Sequence, residues 1–272
     1  MLGMGPMPYT GPKEVKYLFV DGGSLRGKLQ NVSNKYFGGE KFEIDFRQLA
    51  QGFTKTFYYD AVPVRNEGEA EDAYNARIEP TLAVFNAAAS VDGVHVYGGD
   101  ARQRRRQGMV QKKVDVKLAV DMLSHAFRRN MHHATLLTGD VDFQPLIEAL
   151  VESGLFVTLW YPTDETSRDL LQAADARQPL NIARLQGLLT TSSRSRFRIP
   201  TAVHYHPSIE PGGTLLKSWE QDGKAHGLHQ DGRELIVTRE HDSNNRLHVR
   251  HEDRHLLHKF CRESFFIDIP PD

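Results

Sequence analysis

Strand-like apolar runs at residues 17–20, 56–62, 94–97, 134–137 and 156–161 recur along the first part of the chain, and between them apolar positions return at helical spacing. Short runs without polar alternation suit strands buried on both faces. Their alternation with helices predicts a parallel sheet covered on each side, a three-layer α/β/α domain. Residues 116–127 carry Val116, Leu118, Ala119, Val120, Met122, Leu123 and Phe127, the broad apolar face of a helix. A second helix is expected over residues 144–153: Pro145 suits its first turn, Asp142 is placed to cap its free amides, and Gly154 suits a left-handed exit.

Beyond residue 187 the pattern changes. The stretch TTSSRSRFRIP (residues 190–200) is polar, serine-rich and basic, and reads as a linker or surface arm. After it LLKSW, RELIVTRE and NRLHVRHE, broken by QDGK, QDGR and DSNN, predict a few antiparallel strands joined by tight turns. The expected organisation is a disordered leader over residues 1–12, an α/β domain over 13–186, and a linker with a small β-rich carboxyl-terminal module over 187–272. A chain of 272 residues is long enough for that division.

Composition narrows the class. With 39% hydrophobic and 25% charged residues the chain reads as soluble and globular, and no apolar run approaches the roughly 20 residues that span a bilayer. The amino end lacks the basic region and apolar core of a secretory signal. The single cysteine, Cys261, rules out an internal disulfide framework and fits a reducing cytoplasm. A net charge of −1 advertises no polyanionic partner for the molecule as a whole, so local charge carries the information.

That local charge is acidic at the predicted strand ends. Asp21 follows the run YLFV and precedes a glycine turn; Asp140 and Asp142 follow ATLL in TGDVDF (residues 138–143). In open parallel sheets ligands bind outside the carboxyl ends of the strands, so these acids map to one edge. Asp115, in KKVDVKLAVDML, is expected to open the apolar helix with its amino end facing that same edge. Immediately before it, Arg102, Arg104, Arg105, Arg106, Lys112 and Lys113 crowd one segment, which reads as a phosphate clamp or a solvated loop. Glu67, Glu69, Glu71 and Asp72 read as loop charges.

Carboxylates gathered in one place raise one another's pKa unless cations neutralise them. Oxygen-only ligands suit Mg²⁺ or Mn²⁺, and two such ions ~4 Å apart activate water for in-line attack on a phosphodiester. No glycine-rich loop ending in Lys-Ser or Lys-Thr is present, which argues against a P-loop ATPase. An aspartyl-phosphate phosphatase using Asp21 fares no better, because Gly23 occupies the place where such enzymes carry a second aspartate.

Taken in order, FVDGGSL, FYYDAVP, KKVDVKLAVDML and TGDVDFQPLIEAL resemble an NYN domain of the LabA-like type, in the PIN-like nuclease superfamily; the resemblance spans residues 13–185. It implies a parallel α/β/α fold and Mg²⁺- or Mn²⁺-assisted cleavage of RNA. It also implies Asp21 as first metal ligand, Asp115 as the acid at the start of the central helix, and Asp140 and Asp142 as the final pair. Asp121 matches a frequent family acid, although six residues past Asp115 is about 240° around an ideal helix, so its alternative is a salt bridge with Lys117. Ser24 stands where the family usually has asparagine, a departure that bears on activity rather than fold.

The leading expectation is therefore a cytoplasmic, metal-dependent ribonuclease acting on single-stranded or structured RNA. The alternative is a catalytically inactive module of the same fold that binds RNA or a protein. A homo-oligomer is compatible with either. In the carboxyl-terminal module His251, His255, His258 and Cys261 are spaced to share a helix face, a conceivable zinc set without an established ligand pattern. Phe197, Tyr205 and Trp219, near Arg194, Arg196 and Arg198, offer rings for stacking RNA bases, with core packing the alternative for Trp219.

Overall fold

The computed structural model describes residues 14–99, 107–164, 166–242 and 245–271, and the expected leader lies outside them. The elements run β1 (Lys16–Asp21), α1 (Gly22–Tyr36), α2 (Phe46–Ala50), β2 (Lys55–Ala61), α3 (Glu71–Ala89), β3 (Val94–Gly99), α4 (Gln107–Phe127), β4 (His133–Leu137), a 3-10 turn (Val141–Phe143) and α5 (Gln144–Glu152). They continue through β5 (Phe156–Pro162), α6 (Arg168–Ala173), β6 (Ala176–Leu180), α7 (Ile182–Gly187), α8 (Thr191–Arg196), β7 (Thr201–Tyr205), β8 (Thr214–Gln221), β9 (Lys224–Asp231), β10 (Glu234–Asp242), β11 (Asn245–His251) and α9 (Arg254–Phe265). Two compact units result, one from residues 1–27 and 49–179, the other from 28–48 and 180–272, with the boundary running through α1.

The first unit holds a six-stranded parallel sheet in the order β3-β2-β1-β4-β5-β6, flanked by helices. All five expected strands are present. The sixth, β6, was missed because ARQPL is largely exposed and contains Pro179, features of an edge strand that carry no apolar signal. On one face Tyr17, Phe19, Phe57, Tyr59, Leu136, Val157 and Leu159 pack against Leu118 and Met122 of α4 and Ile147 and Leu150 of α5. Fully burying each such side chain stabilises the fold by about 1.5–3 kcal/mol. Strand order reverses at β1, which pairs with β2 on one side and β4 on the other. That is where an open sheet leaves a crevice at its carboxyl edge.

Two helix starts differ from expectation. Asp115 does not open α4, which begins at Gln107; most of QGMVQKK is compatible with a helix, so the helix takes in residues 107–113 ahead of Asp115. Asp142 does not cap α5 either. A 3-10 turn precedes that helix and moves the cap two residues earlier, where the Asp140 side chain accepts the Asp142 amide at 3.0 Å. Pro145 does lie in the first turn of α5, and Gly154 takes φ 84° at its exit.

In the second unit a five-stranded antiparallel sheet runs β7-β11-β10-β9-β8. Asp222 and Gly223 of QDGK both take positive φ, 52° and 69°, the requirement of a tight I′ hairpin. Leu228, Val237, Leu247 and Val249 face Leu257, Phe260 and Cys261 of α9, and burial pushes the Cys261 thiol up to about 12. The supposed linker is also folded. Thr190 caps α8 through the Ser193 amide, and Phe197 is fully buried against Phe37 (4.3 Å) and Phe42 (5.0 Å), so this phenylalanine is core and does not offer a stacking surface. Trp219 packs beside the core between the antiparallel sheet and α9, stacked on His226. His251 belongs to β11 rather than α9, which breaks the supposed histidine row. Among the described residues no helix is long and apolar enough to cross a membrane.

His248 alternates with Leu247 and Val249 and so lies on the other face of this sheet, 1% exposed, its ring 4.7 Å from Tyr205. Burial, then the charges of Arg250 and Arg246, push its pKa down to about 4. An unfolded chain, with histidine near 6.5, therefore binds more protons than the fold between those values, and stability rises with pH across that window. We expect thermal unfolding of the second unit to move to lower temperature as pH falls from 6.5 towards 4, and His248→Leu to flatten that dependence. An unchanged slope in the variant would exclude His248 as a source.

Candidate active site at the carboxyl edge of the first sheet

Parallel pairing of Val20 with Leu137 brings the residues that follow, Asp21 and Thr138, side by side. Asp21 is 7% exposed and Thr138 fully buried. The Asp21 carboxylate accepts three hydrogen bonds: the Ser24 amide on Oδ1 (3.1 Å), and the Ser24 and Thr138 hydroxyls on Oδ2 (2.7 and 2.8 Å). Each hydroxyl has one hydrogen to give, and its oxygen is then left to accept. The Ser24 oxygen takes the Gly139 amide (3.1 Å) and the Thr138 oxygen takes the Asp140 amide (3.1 Å). The backbone around Asp140 is thereby tied to Asp21 through two side-chain hydroxyls.

Asp140 is half-buried and Asp142 exposed. Among the described residues the Asp140 Oδ2 and both Asp142 carboxylate oxygens accept no hydrogen bond, whereas Asp140 Oδ1 holds the Asp142 amide. Asp115 lies in the third turn of α4 and is half-buried. Lys112 and Lys113 are exposed on the same helix; Arg102, Arg104, Arg105 and Arg106 lie outside the described residues. No group of three histidine, cysteine, aspartate or glutamate side chains comes within metal-binding reach among the described residues. The pair Asp21 and Asp140 supplies oxygen donors only, and Mg²⁺ is commonly held by one or two carboxylates, with water and substrate phosphate filling the rest of its shell. The donor chemistry fits a hard divalent cation.

Asp121 has its own partners. Its carboxylate accepts from the Tyr59 hydroxyl at 2.9 Å and pairs with Lys117, the salt bridge its spacing allowed. Burial, then the Asp121 charge, raises the Tyr59 pKa. Of the loop acids, Glu69 is held by Arg77 and the Asn66 amide, which lower its pKa to about 2.

Residues 17–181, more than half of the chain, match the NYN domain. The chain belongs to the NYN-domain family. NYN domains are PIN-like, typically nucleases, and generally use divalent metals on nucleic-acid substrates. Among solved structures, a protein of unknown function, VPA0982 from Vibrio parahaemolyticus RIMD 2210633, is similar at 17% identity and a TM-score of 0.43, over 65% of this chain and 97% of that one. No curated protein sequence matches significantly.

Sequence reasoning missed two side chains of this NYN edge. Thr138 was visible as the first residue of TGDVDF, but nothing in the motif distinguishes a turn threonine from one that bridges two strand ends. Asp60, in FYYDAVP, is the last residue but one of β2 and is 1% exposed. Its signal was close to the one Asp21 gave, an acid at the carboxyl end of a buried strand.

The Tyr59–Asp121 bond predicts a coupling between β2 and α4. Asp121→Ala leaves a buried phenol without its acceptor and is expected to cost about 1–3 kcal/mol in urea unfolding, less in a Tyr59→Phe background. Strict additivity of the two changes would mean that the bond contributes nothing.

Proposed function

We propose that this NYN protein is a metal-dependent ribonuclease, with Asp21 and Asp140 holding Mg²⁺ or Mn²⁺ at the carboxyl edge of the sheet. The observation that carries the reading is the hydroxyl bridge of Ser24 and Thr138, which fixes Asp21 and the Asp140 backbone beside each other at a topological switch point. Ser24, standing where asparagine is usual, orients the first acid by two hydrogen bonds. The open oxygens of Asp140 and Asp142 are the groups available to a cation or to an attacking water. Asp115 is proposed as a further acid of the site, on the helix that also carries Lys112 and Lys113. Lys112 and Lys113, with Arg102, Arg104, Arg105 and Arg106, are proposed to grip backbone phosphates without reading sequence. Bound at such a site, the ion supplies positive charge to the phosphate oxygens and makes water a nucleophile at neutral pH.

A second reading rests on Asp21 Oδ2, which already receives two hydroxyl hydrogens and has little left to offer an ion. On that reading the NYN domain binds RNA or a protein and does not cut.

Cleavage of single-stranded and hairpin RNAs in Mg²⁺ and in Mn²⁺ separates the two. We expect chelator-sensitive cutting by the wild type and a loss of roughly 100-fold or more in Asp140→Asn with the fold retained; removing groups that merely support metal ligands already costs about 10–100-fold. Cutting at the wild-type rate by Asp140→Asn would refute the site, and no cutting by the wild type with either metal would favour the binding reading.

A further inference from the structure

Asp60 differs from the other acids of this edge because all of its acceptor positions are filled. Oδ1 accepts from Arg26 Nη2 (2.7 Å) and the Ala61 amide (2.8 Å), and Oδ2 from Arg26 Nε (2.7 Å) and the Tyr58 hydroxyl (3.1 Å). A carboxylate offers about four lone-pair sites, so Asp60 has none left for an ion. The pair is also asymmetric: the Asp60 side chain is 1% exposed and that of Arg26 52%. The buried acid grips one side of the guanidinium fork, and half of the arginine remains in the open.

The pair adjoins Asp21. Asp21 lies opposite Tyr59 in the register, so Asp60 is one residue further towards the edge. Gly22 packs so closely there that a Cβ would come within 2.7 Å of the Tyr58 ring and 2.8 Å of the Asp60 Cβ. Arg26 follows Gly22 by one turn of α1. Two of the five N–H groups of Arg26 are used by Asp60, in the bidentate geometry that fixes the plane of the fork.

We propose that Arg26 is a phosphate-binding residue of this edge and Asp60 the positioning residue that aims it, with the backbone phosphate of single-stranded nucleic acid as ligand. Neither residue belongs to the acid set or to the basic residues between Arg102 and Lys113. The proposal rests on reading this edge as a nucleic-acid site, but it does not depend on whether the bound strand is cut.

The test is binding, in the full chain carrying Asp140→Asn, of a fluorescent uridine oligonucleotide followed by anisotropy over a salt series. Arg26→Gln, whose amide can still donate to Asp60, is expected to weaken binding about tenfold and to lower the slope of log affinity against log salt by about 0.7, the share of one single-strand phosphate. Arg26→Lys should keep the slope while losing affinity, because charge remains and the fork does not. The double variant Arg26→Ala/Asp60→Ala, which leaves no buried acid unpaired, should match Arg26→Gln. Wild-type affinity and slope in Arg26→Gln and in the double variant, with unchanged melting, would overturn the proposal. Cleavage by the protein without these substitutions is scored separately: its absence refutes the nuclease reading and leaves the anchor standing or falling on the slope alone.

Discussion

A carboxylate can only accept hydrogen bonds, and the candidate site is built on that constraint at Asp21. Both hydroxyls that reach its Oδ2 have one hydrogen each, so giving it to Asp21 fixes their remaining role as acceptors. Backbone amides of Gly139 and Asp140 fill that role. The polarity runs one way, from amide to hydroxyl to carboxylate. At its buried end, Thr138 on Asp21, such a chain is strengthened by low-dielectric surroundings, and a member left unpaired there is costly for the same reason. The network thus holds the end of β4 to the end of β1 beyond the last pair of the ladder.

The strand ends were legible because parallel strands buried on both faces leave short apolar runs, and the acids were legible because they close those runs. What the sequence concealed is instructive in each case. Strand β6 is exposed at the sheet edge, so its residues follow no burial pattern. Helix α4 begins eight residues before Asp115 because apolar periodicity marks only the buried part of a helix; Gln107 through Lys113 are mostly polar and precede the first buried side chain, Val114, among those described. Asp140 and Asp142 are both placed to cap, and the 3-10 turn that contains Asp142 decides that Asp140 does so. Ser24 stands where asparagine is usual, and its short hydroxyl reaches both Asp21 and the Gly139 amide.

The second unit follows a different logic. Its strands alternate, with Leu247 and Val249 against α9 and His248 on the other face, whose centre is also buried at Ile236 and His248. The TTSSRSRFRIP stretch looked like a linker because its serines and arginines dominate, but Thr190 and Phe197 decide its structure, one as a cap and the other as a core residue. Composition averages over a segment, whereas a single buried aromatic ring is enough to anchor it.

Across the NYN edge, the acids differ in how completely their oxygens are satisfied. Asp60 has four donors and is 1% exposed; Asp21 has three and is 7% exposed. Asp140 accepts one bond and Asp142, on the surface, accepts none among the described residues. Burial and satisfaction rise together because a buried charge without partners is not tolerated. Open acceptor positions run the opposite way, most numerous at Asp140 and Asp142, while the Asp60 end presents the Arg26 guanidinium instead. An extended polyanion lying across this edge would meet a fixed positive group on one side of Asp21 and open carboxylate oxygens on the other. That polarity follows from which donors each acid found on folding, and motif spacing alone does not carry it.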